Sequence, residues 1–234
     1  FPDREPILHK YGIVEDARGL MQYILEVTHG IHNHWKKDPN DPNATEWGYT
    51  YNERFDPQTV FALARMKHDY EKKGRISGRD YFFATWRAEE DSILEQADPP
   101  CLQNGQLRFI PDDKGQYFLN YITDWRSRDE AKAWTENIVA QIELQKLIAA
   151  KASDMLGLEI KMGSYIDTST SLHIYGAYLE EGFDNLVERM RRNPTSDFML
   201  SLDDYLGDRT KLKRIIAAQT DAADRGLGKN LDEA

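Results

Sequence analysis

Cysteine occurs once in this chain, at Cys101. A single thiol excludes a disulfide framework and a thiolate metal site within one subunit. No apolar run approaches transmembrane length, and the start Phe1-Pro2-Asp3-Arg4 lacks the pattern of a signal peptide, so no membrane contact and a cytoplasmic location are expected. Positive charge is in deficit, with 30 Lys and Arg against 40 Asp and Glu and a net charge of -10. An acidic surface repels phosphates except at locally basic pockets. Nucleic acid is therefore not an expected partner, and the phosphate of a small ligand has to be met by a few focused arginines. His32 and His34 have no matching cluster of carboxylates or thiols, so no metal site is expected. Repeats and low-complexity linkers are missing as well, and 1–234 is expected to be one domain. Its composition, 40% hydrophobic and 11% aromatic, suffices for a sizeable core.

Periodicity supplies the elements. Leu20, Tyr23, Ile24, Val27 and Ile31 recur at helical spacing between Glu15 and Trp35. The polar stretch 36–43, with two Asx-Pro steps, is a loop. Asp56-Pro57 is expected to open the next helix, with Gly74 ending it. Tyr81 to Trp86 reads as a strand. The runs 106–110 and 116–122 alternate around Asp112-Asp113-Lys114-Gly115 as a hairpin. A long helix is predicted over 129–156, extended segments over 160–175 and a helix over 179–192. These elements predict an α+β domain with a mixed or mostly antiparallel sheet flanked by helices.

Cys101 follows Asp98-Pro99-Pro100. The proline pair fixes two φ angles and removes two donors, so the thiol is presented from a stiff, non-helical approach. Two roles are open to it: a small buried hydrophobe, or a nucleophile whose thiolate is stabilised by nearby cations. Arg126-Ser127-Arg128-Asp129 follows the hairpin, Asn137 stands eleven positions after Arg126, and His173-Ile174-Tyr175 comes later. Taken singly, these residues read as a surface arginine and satisfied polar groups.

Together, Pro-Pro-Cys, Arg-Ser-x-Asp with its Asn, and His-Ile-Tyr resemble the thymidylate synthase superfamily of pyrimidine-nucleotide one-carbon transferases, over roughly Trp47 to Tyr178. The resemblance implies a thymidylate synthase-like fold and a homodimer paired through its sheet. It also implies a pyrimidine nucleoside monophosphate as substrate and 5,10-methylenetetrahydrofolate as co-substrate. It makes Cys101 the nucleophile, Tyr51 an active-site tyrosine, and Glu26 the helix glutamate that works the ring through water. For Glu26 and Tyr51 a purely structural role stays open beside these. Arg126 and Ser127 would hold the phosphate, and Arg79 would stand where the family reaches across its dimer. Asn137 would read the base, His173 and Tyr175 the sugar, and Asp129 and Trp35 would lie beside the folate.

Carbon 5 of a pyrimidine is too weak a nucleophile to attack a one-carbon donor until a thiolate adds at carbon 6, and a thiolate is both strongly nucleophilic and a good leaving group. Arg126 beside the thiol is expected to lower its pKa. The chain departs from thymidylate synthases where they carry Leu-Gly-x-Pro-Phe-Asn; here the residues are Lys132-Ala133-Trp134-Thr135-Glu136-Asn137. Leu102 replaces a histidine after the nucleophile, and the tail Asn230-Leu231-Asp232-Glu233-Ala234 is polar rather than apolar. A less sealed site lets water capture the one-carbon intermediate, which points to hydroxymethylation rather than methylation. Asn137 follows the family's uracil habit, yet Lys132 could meet an added hydroxyl or a base carbonyl. Gly176 and Ala177 leave room for a 2'-hydroxyl. CMP or dCMP is therefore the expected substrate, with dUMP methylation and a non-catalytic nucleotide-binding relative as alternatives.

Overall fold

Residues 4–6, 17–33, 48–93, 98–131, 133–180, 182–192 and 199–201 are described here, in a computed structural model. Helix α1 (Ala17–His29) buries Leu20, Ile24 and Val27 on the face that the spacing predicts, and Leu25 beside them. It ends at Gly30, whose φ of 63° lets the chain reverse.

Helix α2 (Tyr51–Lys73) starts at Tyr51 rather than at Asp56. Thr50 is its N-cap and accepts a hydrogen bond from the Glu53 N–H at 3.3 Å. Thr-x-x-Glu is itself a helix-start signal and outweighs Asp-Pro here. Pro57 then lies inside the helix, where it removes one backbone hydrogen bond. The buried face of α2 carries Phe55, Ala62, Leu63 and Met66, and Gly74 closes it as expected.

Strand β1 (Arg4–Pro6) pairs antiparallel with the last described strand, β8 (Met199–Ser201). The central sheet has four strands: β2 (Phe82–Ala84), β3 (Leu102–Pro111), β4 (Tyr117–Trp125) and β6 (Ile160–Ser169), in the order β2-β3-β4-β6. A short helix, α3 (Ala88–Asp91), separates β2 from β3. The first two pairings are antiparallel and β4–β6 is parallel, so the sheet is mixed. The β3–β4 hairpin turns where Asp112 Oδ1 accepts from the Lys114 and Gln116 N–H groups, both at 2.9 Å, with Gly115 at φ 82°. Alternation along β3 and β4 sends Leu107, Phe109, Leu119, Tyr121 and Trp125 into the core.

Parallel pairing of β4 with β6 needs a crossover, and helix α4 (Ala133–Leu156) supplies it. Its buried face carries Val139, Ala140, Leu144, Ile148, Ala149 and Ala152, and α1 lies against it. Two fully buried glutamines on that face find partners. Gln141 Oε1 accepts from the Tyr121 hydroxyl at 2.7 Å. Gln145 Nε2 donates to the Leu119 carbonyl at 2.7 Å, at the irregularity between Leu119 and Tyr121 where β4 and β6 shift register.

A two-stranded parallel sheet joins β5 (Arg128–Asp129) to β7 (Leu172–His173). The helix predicted over 179–192 is two, α5 (Gly176–Glu180) and α6 (Phe183–Arg192), parted at Gly182, which has φ 90°. A mixed sheet flanked by helices around one core is thus what the chain forms. Among the described residues, no helix is long and apolar enough to cross a membrane.

Candidate active site

Antiparallel β3 begins where β4 ends, and parallel β6 ends beside β4, so three strand termini converge at one end of the sheet. The Arg126 N–H donates to the Cys101 carbonyl at 2.7 Å, Thr170 N–H to the Trp125 carbonyl at 2.9 Å, and Arg128 N–H to the Ser171 carbonyl at 2.8 Å. Backbone hydrogen bonds thus bring residues far apart in sequence together there. Pro99 and Pro100 lack donors but keep their carbonyls, and Arg126 uses both: Nη2 reaches Pro99 O at 3.0 Å and Nε reaches Pro100 O at 3.4 Å. The same Nη2 lies 3.8 Å from Cys101 Sγ. Ser127, half-buried, lies between Arg126 and Arg128.

Two effects oppose each other at the half-buried thiol. Burial pushes it above the usual thiol value, and Asp98 adds to that; Arg126, Arg128 and a hydrogen bond from Tyr51 pull it down. Burial wins. Arg126 acts in the expected direction, and burial outweighs it. The Tyr51 hydroxyl accepts from the N–H groups of Cys101 at 3.2 Å and Leu102 at 3.3 Å. Its ring meets Tyr49 and Trp125 edge to face, both with centroids 5.8 Å apart. Burial, and then the neighbouring thiol, push the Tyr51 phenol up to about 12.

Asn137 sits in the first turns of α4, only 8% exposed, and its Nδ2 donates to the Tyr23 hydroxyl at 2.8 Å. Tyr23 comes from α1, which α4 packs against. Glu26, on the same helix, is buried with its Oε2 3.0 Å from His32 Nδ1. Of the two α1 residues, it is Tyr23 and not Glu26 that touches Asn137.

Arg128 also belongs to this cluster, although the sequence does not single it out. It is 2% exposed, stacks 3.7 Å above the Trp125 ring and donates from Nη2 to Asp167 Oδ2 at 2.5 Å. Its Nε and Nη1 find no acceptor among the described residues. Burial lowers its pKa while Asp167, Tyr165, Tyr23 and Tyr51 raise it, so its charge is felt across the whole cluster. As the variable position of Arg-Ser-x-Asp it gives no signal; only the strand alternation that turns it inward could have found it.

Asp129 and His173 are paired positions of β5 and β7. Asp129 Oδ2 accepts from the Tyr178 hydroxyl at 2.7 Å. His173 packs edge-on to Tyr175 at 4.9 Å, and Tyr175 to Tyr178 at 5.7 Å. Leu172, Ile174, Tyr175 and Leu179 are all exposed around them. The sequence-predicted residues Cys101, Tyr51, Arg126, Ser127, Asp129, Asn137, His173 and Tyr175 therefore belong to segments that meet at this end of the sheet.

Arg79 does not. It is exposed, its carbonyl accepts from Gln106 Nε2 at 2.9 Å, and Gln106 lies five residues along β3 from Cys101, about 16 Å by strand rise. Trp35 and Lys132 lie outside the described residues. No protein-family model matches this chain, and no curated protein matches it either.

Proposed function

We propose that the chain is a folate-dependent one-carbon transferase acting on carbon 5 of a pyrimidine nucleoside monophosphate, and that it hydroxymethylates CMP or dCMP. The observation that carries this reading is the placement of the only thiol 3.8 Å from the Arg126 guanidinium, at the strand ends where Tyr51 and Trp125 also converge. The thiolate of Cys101 adds to carbon 6 of the ring. The carbon 5–carbon 6 π pair then leaves carbon 5 nucleophilic. Arg126, held by the proline carbonyls, is exposed enough to bind the phosphate by charge-assisted hydrogen bonds, with Ser127 beside it. Tyr51 stays protonated and anchors the backbone that carries the thiol.

The aromatic and apolar surface of Tyr175, Ile174 and Leu179 fits a flat heterocycle, beside an Asp129 that already accepts from the Tyr178 hydroxyl and the Ala131 N–H. Methylenetetrahydrofolate, when bound, supplies the one-carbon unit. A side chain added at Gly176 would meet nothing within 4 Å, which supports room for a 2'-hydroxyl next to His173 and Tyr175.

A second reading, methylation of dUMP, is favoured by one observation. Asn137 turns Nδ2 towards Tyr23, which leaves Oδ1 to accept, and uracil carries an N3–H to donate. Incubation of CMP, dCMP, UMP and dUMP with methylenetetrahydrofolate, followed by mass spectrometry, separates the two. Hydroxymethylated cytidylate with tetrahydrofolate release is expected. A methylated product with dihydrofolate means the second reading. No product from any nucleotide, or equal product from wild type and Cys101→Ala, overturns both.

A further inference from the structure

The hydroxyl of Tyr23 accepts a hydrogen from Asn137 Nδ2 at 2.8 Å, and no described residue takes the hydrogen that Tyr23 itself carries. That hydrogen is open to a ligand, because the half-buried phenol has no acceptor for it among the described residues. Beside it, Asn137 Oδ1 receives no hydrogen from a described residue, although Asn137 is only 8% exposed. Deeper in the same cluster Arg128 has two more donors, at Nε and Nη1, with no acceptor among the described residues. Three elements, α1, α4 and β5, thus contribute polar groups whose hydrogen bonds no described residue completes.

We propose that Tyr23 is a catalytic residue: it donates a hydrogen bond to the acceptor on the edge of the pyrimidine that Asn137 reads, O4 of uracil or N3 of cytosine, and so stabilises the charge that gathers there. The inference rests on the reading of Cys101 as nucleophile. When the Cys101 Sγ–carbon 6 bond forms, the thiolate's electron pair enters the ring and the carbon 5–carbon 6 π pair is pushed towards carbon 4 and its substituents. Negative charge builds on O4 or N3. A donor already in place there costs no reorganisation as the charge appears.

Proton transfer from Tyr23 is not required. Burial first, and then the nearby Tyr51 and Glu26, hold its phenol well above the usual value, so the group stays a donor across the physiological range. Asn137 keeps the phenol oxygen in position, and Glu26 is engaged by His32 three residues further along the helix.

Tyr23→Phe retains the ring and removes only the hydroxyl. Release of tritium from carbon 5 is expected to fall by roughly 10²-fold or more, the usual effect of deleting one such donor, while the Kd for the nucleotide changes less than about tenfold. Replacement of Tyr23 by fluorinated tyrosines gives the second measurement, since a more acidic phenol is a stronger donor. The tritium-release rate should rise with phenol acidity as long as the phenol stays protonated, a response that a merely structural ring would not give. Wild-type rates in Tyr23→Phe, or rates indifferent to fluorination, overturn the role of Tyr23 alone. A wild-type protein that releases no tritium from any of the four nucleotides removes the nucleophile reading, and this inference with it.

Discussion

A half-buried thiol beside one exposed guanidinium is set by a contest between desolvation and charge, and here desolvation prevails. The free protein should accordingly be alkylated at Cys101 by iodoacetamide at rates that climb with pH and keep climbing beyond the usual thiol value, about 8.5. Arg126→Met removes the largest opposing influence and moves the profile to still higher pH. At neutral pH the expected loss of rate is roughly two- to fivefold, because Arg126 is solvent-screened. A profile that shifts to lower pH would contradict the assignment. Single residues were legible to different degrees. Cys101, Arg126 and Asn137 stood out because their types and spacing repeat a pattern. Tyr23 did not, because in sequence it is one more apolar position on a helix, and its partner lies 114 residues away. Arg128 was hidden for a different reason: a buried guanidinium is rare enough that an arginine after a strand reads as surface.

The junction between α1 and α2 holds Tyr23 and Tyr51 in a common frame. Asn33 Nδ2 donates to Asn52 Oδ1 at 2.9 Å, Asn52 Nδ2 to the Val27 carbonyl at 3.0 Å, and the Thr50 hydroxyl to Asn33 Oδ1. Gly30 makes this possible. A Cβ there would stand 2.3 Å from both Asn33 Nδ2 and Asn52 Oδ1, on a backbone with φ 63°. Gly30→Ala should therefore lose about 2 kcal/mol or more, combining left-handed strain of about 1 kcal/mol with the displaced amide pair. Urea denaturation measures it, and an unchanged midpoint would show that the junction is not as tight as drawn. At this scale the sequence conveyed the hairpin, the α2 stop and the long α4, all marked by strong local chemistry. It misled at the α2 start, where Asp-Pro masked a capping threonine. It misled again after His173, where a continuous helical pattern conceals the break at Gly182.

Across the whole molecule the buried and half-buried phenols act together. Tyr23, Tyr49, Tyr51, Tyr121 and Tyr165 are all raised, with burial the first cause in each. In the unfolded chain they ionise near the ordinary value of about 10, whereas the folded chain keeps their protons. Above that pH the native state binds more protons than the unfolded state, so stability falls as pH rises; below it their contribution is fully present. The Tm is expected to be nearly flat with respect to these groups from pH 7 to about 9 and to drop steeply above about 10. A Tm that holds steady to pH 11 would mean that the phenols are not enclosed. The mixed sheet was legible in outline, but its parallel β4–β6 edge was not, since strand direction is fixed by the α4 crossover and not by any local pattern. That crossover also sets an order of events in time. The β3–β4 hairpin closes over a short turn, on the microsecond scale, and brings Cys101 to Arg126 at once. Pairing of β6 must wait for α4 to form and fold back, and α1 can deliver Tyr23 to Asn137 only after α4 exists. The short loop that brings thiol and guanidinium together is thus expected to close before the long one that brings the Tyr23 phenol to Asn137.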